Sequence, residues 1–332
     1  MSPQRQFAHG LFVGANVLMA ALYVAFGTES HWPGAETQAA EPPALPPTPA
    51  QTLWRQFEPS DALGNIAYLC WEVGPRPAGS AAERQAAAYL ARELADLGYI
   101  VAVQRGITLG KAGQSTANVV GLAPGAGRKP RIVVGAHYDT VSPAVQGAND
   151  NASGVAVVLE VASLLVKQSL PYAIQVVFFG AEERSPGGES LVGSRHFARR
   201  CAGSAVAMIN VDMVGCGTDL HVWQYGARSR YLAGLVARSA AALGLSVAAS
   251  GHSADSDHAS FARAAIPSIW LQSLPDPRNH TSADQAQRIS VRSLERAGRL
   301  LLHTLTSLQA EDVRLLQKRC GSQAKAARYC GR

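Results

Sequence analysis

The chain has 332 residues, 47% of them hydrophobic and only 16% charged, with 30 Lys+Arg against 24 Asp+Glu for a formal net charge of +6. That composition excludes a disordered, collagen-like or coiled-coil protein and leaves one large globular domain or two medium ones. The positive excess lies beyond Asp312, in Arg314, Lys318, Arg319, Lys325, Arg328 and Arg332; residues 1–312 carry 24 charges of each sign, so a neutral domain is expected, with no nucleic-acid partner.

In chain order, residues 10–27 (GLFVGANVLMAALYVAFG) hold no charge and follow Arg5. Residues 1–30 therefore read as a signal anchor, or as a signal peptide cut near Ala25-Phe26-Gly27. A basic residue on the N-terminal side keeps that end cytoplasmic. Both readings export the rest of the chain, either membrane-anchored with its catalytic domain periplasmic or extracellular, or secreted. Residues 31–50 are a Pro-rich spacer. The folded domain is expected over 51–312, and 313–332 as a basic tail.

Within the domain, residues 52–73 and 81–97 have helical spacing, the second ended by Gly98, while 99–104 and 116–122 read as strands. Four apolar runs of strand length follow, at 131–136, 174–180, 206–211 and 268–271. Helical segments at 152–166, 190–200 and 229–243 separate them, and a last helix covers 291–308. Near-continuous apolar strands alternating with helices mean a largely parallel sheet covered on both faces, an α/β fold.

The five cysteines, Cys70, Cys201, Cys216, Cys320 and Cys330, contain no Cys-x-x-Cys. A cysteine zinc ribbon and a disulfide-dense scaffold are excluded. Cys320 and Cys330 either close a small loop in an oxidising compartment or stay unpaired. No G-x-S-x-G, H-E-x-x-H or Walker A motif occurs.

The chemistry gathers at strand ends. The first apolar run leads into His137-Tyr138-Asp139, the second into Glu182-Glu183, the third into Asp212, and the fourth through a short loop into Asn279-His280. Asp150 stands at the mouth of the helix at 152–166. Taken singly these are an N-cap, a core histidine, and solvated or turn acids. Open α/β sheets bind ligands at the carboxyl ends of their strands, however, so these residues converge on one rim. Carboxylates crowded there must stay solvated, share protons or bind a cation. Two histidines among three or four carboxylates suit Zn²⁺ or a similar dication. Their ratio suggests two metals, about 3.5–4 Å apart, bridged by one carboxylate and sharing an activated water. One glutamate is left over as a proton shuttle.

The segments GPRPAGS, VVGAHYDTV, GANDNASGVA, FFGAEE, NVDMVG, SDHASF and NHTSAD, in this order over about 74–308, resemble the M28 family of zinc aminopeptidases. The resemblance implies a three-layer α/β sandwich of the zinc-exopeptidase (phosphorylase/hydrolase-like) kind, with a mixed, mainly parallel central sheet covered by helices. It implies two Zn²⁺ per chain: one on His137 and Asp212, the other on Glu183 and His280, with Asp150 bridging. Glu182 is then the general base, Asp139 holds the His137 imidazole, and the Asp150–Asn151 peptide is cis. Substrates would be peptides with a free N-terminus. The resemblance also places Asp257 beside the cleft near the substrate amine and Asp284 against the His280 loop. The tyrosine that family members carry before Ser-Asp-His is absent, leaving His252, Ser253 or the metals to stabilise an oxyanion. Trp223, Tyr225, Phe261 and Trp270 are candidate pocket walls or core residues. Residues 185–197 (SPGGESLVGSRHF) instead resemble glutaminyl cyclases of the same fold, which cyclise N-terminal Gln. A non-catalytic ectodomain of this fold is a third reading, against which all the ligand positions are filled.

Overall fold

The computed structural model describes residues 52–110, 113–200 and 205–321. The predicted anchor (1–30), the spacer (31–50), Cys201, Cys330 and the last three basic residues lie outside them. No helix among the described residues is long and apolar enough to cross a membrane.

The helical pattern over 52–73 resolves into a 3-10 turn at Leu53–Gln56, helix α1 at Pro59–Ala67 and a wider turn at Tyr68–Val73. Pro59 divides them, because its ring suits a first helical position but supplies no amide to a helix already running. Helix α2 (Ala81–Asp96) opens on reciprocal caps: Ser80 accepts the Glu83 amide, and the Glu83 carboxylate returns to the Gly79 amide at 2.6 Å.

Eight strands make one sheet: β1 Ile100–Thr108, β2 Ser115–Leu122, β3 Arg131–His137, β4 Ala173–Phe179, β5 Ala205–Val211, β6 Asp219–Gln224, β7 Val247–His252 and β8 Ser268–Leu274. Their order is β1-β2-β4-β3-β5-β8-β6-β7. The central four, β4-β3-β5-β8, are mutually parallel; β2 and β6 join them antiparallel on either side. Every residue of β3, β4 and β5 is buried, which is why these read as unbroken apolar runs. Helices cover both faces. On one, α3 (Gly154–Leu165) packs against β3, α1 and α7 (Val291–Ser307), and α7 in turn against α5 (Arg230–Ala242). On the other, α4 (Val192–Arg200) packs against α6 (His258–Arg263). The three-layer α/β sandwich with a mixed, mainly parallel sheet is thus observed.

The sequence pattern did not show β6 and β7. Their stretches, DLHVWQ and VAASGH, are half exposed and pair at the sheet edge, so they lack a continuous apolar run. The predicted boundary at 312 also needs correction, because it falls inside a helix. Ala310–Arg319 forms α8, packed on β5 through the buried Val313 and Leu316, so Arg314, Lys318 and Arg319 belong to an amphipathic helix rather than a free tail. Leu316→Ala should lower the unfolding free energy by about 2–5 kcal/mol in urea titration. A change within about 0.5 kcal/mol, as for an ordinary surface substitution, would mean that α8 is not part of the folded core.

Candidate metal centre

The parallel strands β4, β3, β5 and β8 present their carboxyl ends side by side, and the predicted ligands meet there. His137 ends β3. Its Nε2 lies 3.1 Å from Asp150 Oδ1 and 3.4 Å from Asp212 Oδ1. The His280 Nε2, arriving on the loop after β8, lies 3.1 Å from Asp150 Oδ2 and 3.2 Å from Glu183 Oε1. Asp150 therefore gives one oxygen to each histidine, and two donor sets, His137–Asp150–Asp212 and Asp150–Glu183–His280, share it. Bonds of about 2.0–2.1 Å to a tetrahedral ion set its ligand atoms about 3.3 Å apart. The four observed separations cluster around that edge, and Asp212 Oδ1 is buried with no hydrogen-bond donor. The nitrogen and carboxylate donors fit Zn²⁺ in both chemistry and spacing.

The electrostatics are those of a cation site. Burial pushes the Glu183 carboxyl up to about 7, and the neighbouring Asp150 charge adds to it. Burial likewise holds Glu182 well above the carboxylate range, with Asp257, Glu183 and Asp212 reinforcing the effect. Asp150 goes the other way: burial would raise it, but hydrogen bonds from both histidines hold it below its ordinary value. The same contacts with Asp150 and Glu183 lift His280 to about 10. Ligation requires carboxylates and neutral imidazoles, so a dication would bring Glu182, Glu183 and His280 down and reinforce the depression of Asp150.

Each ligand-bearing loop is fixed through its backbone. Asp139, fully buried, accepts the amides of Glu182 at 3.0 Å and Glu183 at 3.2 Å. Its distance to His137 Nδ1 is 3.5 Å, a charge contact longer than a full hydrogen bond. The predicted role of orienting His137 is therefore secondary in this geometry to positioning the two glutamates. Asp284 ties the His280 loop to the Asp150 loop, accepting the amides of Asn149 at 2.7 Å and Asp150 at 3.1 Å. The Asp150–Asn151 peptide is cis, as the resemblance implied. The Asn151 side chain then straps this turn to the end of β5, donating to the Val211 carbonyl and accepting the amides of Gly154 and Met213. Gly147 enters the turn at φ +65, where a Cβ would meet Thr140 Cγ2 at 2.4 Å and the Asp150 carbonyl at 2.6 Å.

Sequence reasoning gave Arg76 no role. It is fully buried and contacts no carboxylate; its guanidinium donates to the carbonyls of Tyr138 (2.5 Å), Gln146 (2.9 Å), Gly147 (2.9 Å), Gly74 (3.3 Å) and Leu69 (3.4 Å). It thereby clamps the chain just after His137 to the turn just before Asp150. Its signal in the sequence was only an arginine between two prolines.

A cleft of about 480 Å³ opens over the donor atoms, lined by Glu182, Glu183, Asp150, Asp212 and His280. Trp270 also lines it and donates from Nε1 to the Asp212 carbonyl; Trp223 stacks behind Trp270 with ring centroids 5.9 Å apart. Phe261 is core, packed on Phe179 and Phe197, and Tyr225 lies under the Arg263 guanidinium. Three expected substrate residues are not in the cleft lining. His252 is exposed on edge strand β7 opposite Gln224, and the Ser253 hydroxyl is engaged with Asp255 at 2.8 Å. Asp257 is fully buried at the start of α6, behind the cleft lining, where its charge acts on Glu182. Burial pushes it up to about 7, and neither of its oxygens has a well-formed hydrogen bond, the nearby Ser194 hydroxyl being paired with Ser260. Asp255, which the motif reading passed over, does line the cleft.

Replacing Asp284 by Ala leaves two buried amides without acceptors at the Asp150 turn. Zinc affinity should fall about 10–100-fold in chelator competition, as for other residues that support a metal's ligands. An unchanged affinity would show that the turn holds its shape without Asp284.

Comparison with known proteins agrees with this construction. The chain is 32% identical over 204 residues to aminopeptidase YwaD of Bacillus subtilis (strain 168), covering 57% of this chain and 44% of that protein's length. It therefore spans less than half of that relative. Among solved structures, a zinc aminopeptidase from Bacillus subtilis superposes with a TM-score of 0.69 at 20% identity, covering 77% of this chain and 98% of the other. A Bacteroides thetaiotaomicron glutaminyl cyclase bound to N-acetylhistamine gives 0.67 at 24%, covering 76% and 99%. These two likenesses establish the fold. Residues 118–305, which carry all the donor atoms described above, match the model of peptidase family M28, and the chain belongs to that family.

Proposed function

We propose that the protein is a zinc-dependent aminopeptidase holding two ions, one in each donor set, and hydrolysing the N-terminal peptide bond of peptides. The observation that carries this reading is Asp150, whose two oxygens are divided between His137 and His280 at 3.1 Å each. The aminopeptidase name of the YwaD relative points the same way. Two dications there would supply the acidity that brings a water's pKa towards neutrality and the Lewis acidity that polarises a carbonyl.

This chain's own residues do the rest. Glu182 lines the cleft, its amide anchored on Asp139, and its carboxylate accepts no hydrogen bond from the described residues. It is free to take the proton of the attacking water and return it to the leaving nitrogen. His137, Asp150, Asp212, Glu183 and His280 hold the ions. Asp139, Asp284 and Arg76 hold the loops that carry these residues, so the reacting groups need little rearrangement. The acidic lining draws in a free α-ammonium group.

Cyclisation of N-terminal Gln is the second reading, supported by the cyclase neighbour and by the loop sequence at 185–197. A complete second donor set, Asp212 with His137, favours the peptidase. Export of the domain, anchored or secreted, is proposed on the uncharged run at 10–27 and the Pro-rich spacer alone.

Glu182→Gln should keep its zinc content while kcat/KM on an aminoacyl substrate falls by about 10²–10⁴-fold. Near-wild-type turnover would remove Glu182 from the mechanism. With a Gln-initiated peptide, release of free glutamine supports hydrolysis, and loss of ammonia without a released amino acid would make the protein a cyclase.

A further inference from the structure

The cleft has two chemically different ends, set by which ligand each lining residue adjoins. Glu183 and His280 form one end, 3.2 Å apart. Arg184 directly follows the first and Asn279 directly precedes the second, and both line the cleft. The Arg184 side chain is exposed and has no ion pair or hydrogen bond among the described residues. Asn279 Oδ1 is buried without a partner, and its Nδ2 donates to no described residue. This end offers a cationic fork and an amide donor, both uncommitted.

Asp212 marks the other end. It accepts the Ser256 hydroxyl at 2.6 Å, and the residue before Ser256, Asp255, lines the cleft with a carboxylate that accepts, among the described residues, only the Ser253 hydroxyl. Trp270 closes the wall there. Asp150 lies between the ends, one oxygen towards each. Two dications would offset Asp150, Glu182, Glu183 and Asp212. The charges left facing a substrate are then Asp255 at one end and Arg184 at the other.

Resting on the aminopeptidase reading, we propose that this polarity selects short peptides whose leaving residue carries a carboxylate, held by the Arg184 guanidinium and the Asn279 amide. Direction follows from the proton path. Glu182 returns its proton to the leaving nitrogen, so the leaving residue lies along the loop that runs from Glu182 through Glu183 to Arg184. The substrate's ammonium then lies towards Asp212 and Asp255. A guanidinium fork matches a carboxylate in two hydrogen bonds, a recognition an amide cannot reproduce. A cavity of about 480 Å³ falls within the small-molecule range of about 300–1,000 Å³. The carboxylate has two possible sources: the C-terminus of a dipeptide, or an acidic side chain at the second position of a longer peptide.

Three substrates separate these sources: Ala-Ala, Ala-Ala-NH2 and Ala-Asp-NH2. Wild-type kcat/KM should favour at least one carboxylate-bearing substrate over Ala-Ala-NH2 by about tenfold or more, chiefly through KM. Preference for Ala-Ala alone assigns the site to a C-terminus; preference for Ala-Asp-NH2 assigns it to a side chain. In Arg184→Ala the preference should collapse towards unity, and Arg184→Lys should restore part of it. If all three substrates are equal, or if the preference survives in Arg184→Ala, the proposal is overturned. Calorimetric titration of Glu182→Gln with Ala-Ala, Ala-Ala-NH2 and Ala-Asp-NH2 reads the same discrimination without turnover. Discrimination there with no cleavage by the wild type would sink the peptidase reading and leave the carboxylate site standing. Equal affinities for all three would remove the site.

Discussion

The structure is organised around carboxylates that cannot remain crowded on their own. Asp150, Asp212, Glu182 and Glu183 are all buried at one edge of the sheet, where unbalanced negative charge is strongly unfavourable. Parallel strands ending at the same level make the crowding unavoidable, because each strand delivers its next residue to the same rim. The histidines intercalate rather than line one side: His137 sits between Asp150 and Asp212, and His280 between Asp150 and Glu183. Without cations the balance is held by protons, as the raised Glu182, Glu183 and His280 show; two dications would offset the four ionised carboxylates with both imidazoles neutral.

A second layer of carboxylates keeps that cluster in place without joining it. Asp139 and Asp284 point their oxygens at backbone amides, two each, on the segments that carry the ligands. An acceptor used this way fixes both position and direction, since an amide has only one hydrogen to give. It also explains why the Glu182–Glu183 and Asn149–Asp150 segments need no regular secondary structure of their own. Ala181, Met213 and His280 stand at positive φ, a conformation tolerated because the surrounding contacts determine it.

The convergence of these histidines and carboxylates was legible in the sequence because they obey a topological rule. Each follows an apolar run or opens a helix, so the sheet alone predicts their convergence. The residues that steady them were not, because their partners depend on loop paths. Arg76 reaches carbonyls 62 and 71 residues further along the chain, and nothing in local periodicity marks such a contact. Asp255 was passed over because a two-residue difference at the start of α6 separates its exposed carboxylate in the lining from the buried Asp257 behind it. β6 and β7 were missed for a related reason: the last two strands of the sheet are partly exposed and carry no continuous apolar signature, although β6 fixes Trp223 behind the cleft wall. The helix beyond 308 was masked by its basic residues, since only Val313 and Leu316 of it are buried.

Arg76 shows why the steadying layer works. A buried arginine beside acids would ordinarily form a bidentate pair with one of them. Here the charges of Asp139, Asp284 and Asp150 act on it, and offset part of the cost of its burial, yet every hydrogen bond it makes is to a carbonyl. Had it paired with Asp139 or Asp284, it would have competed with the backbone amides for the same oxygens. Binding carbonyls instead lets one cation stabilise both acids through its field while leaving their oxygens to the backbone. It also joins the two chain segments that bring His137 to Asp150. One side chain thus contributes both to the charge balance and to the geometry of the donor atoms, at a distance from the atoms it serves.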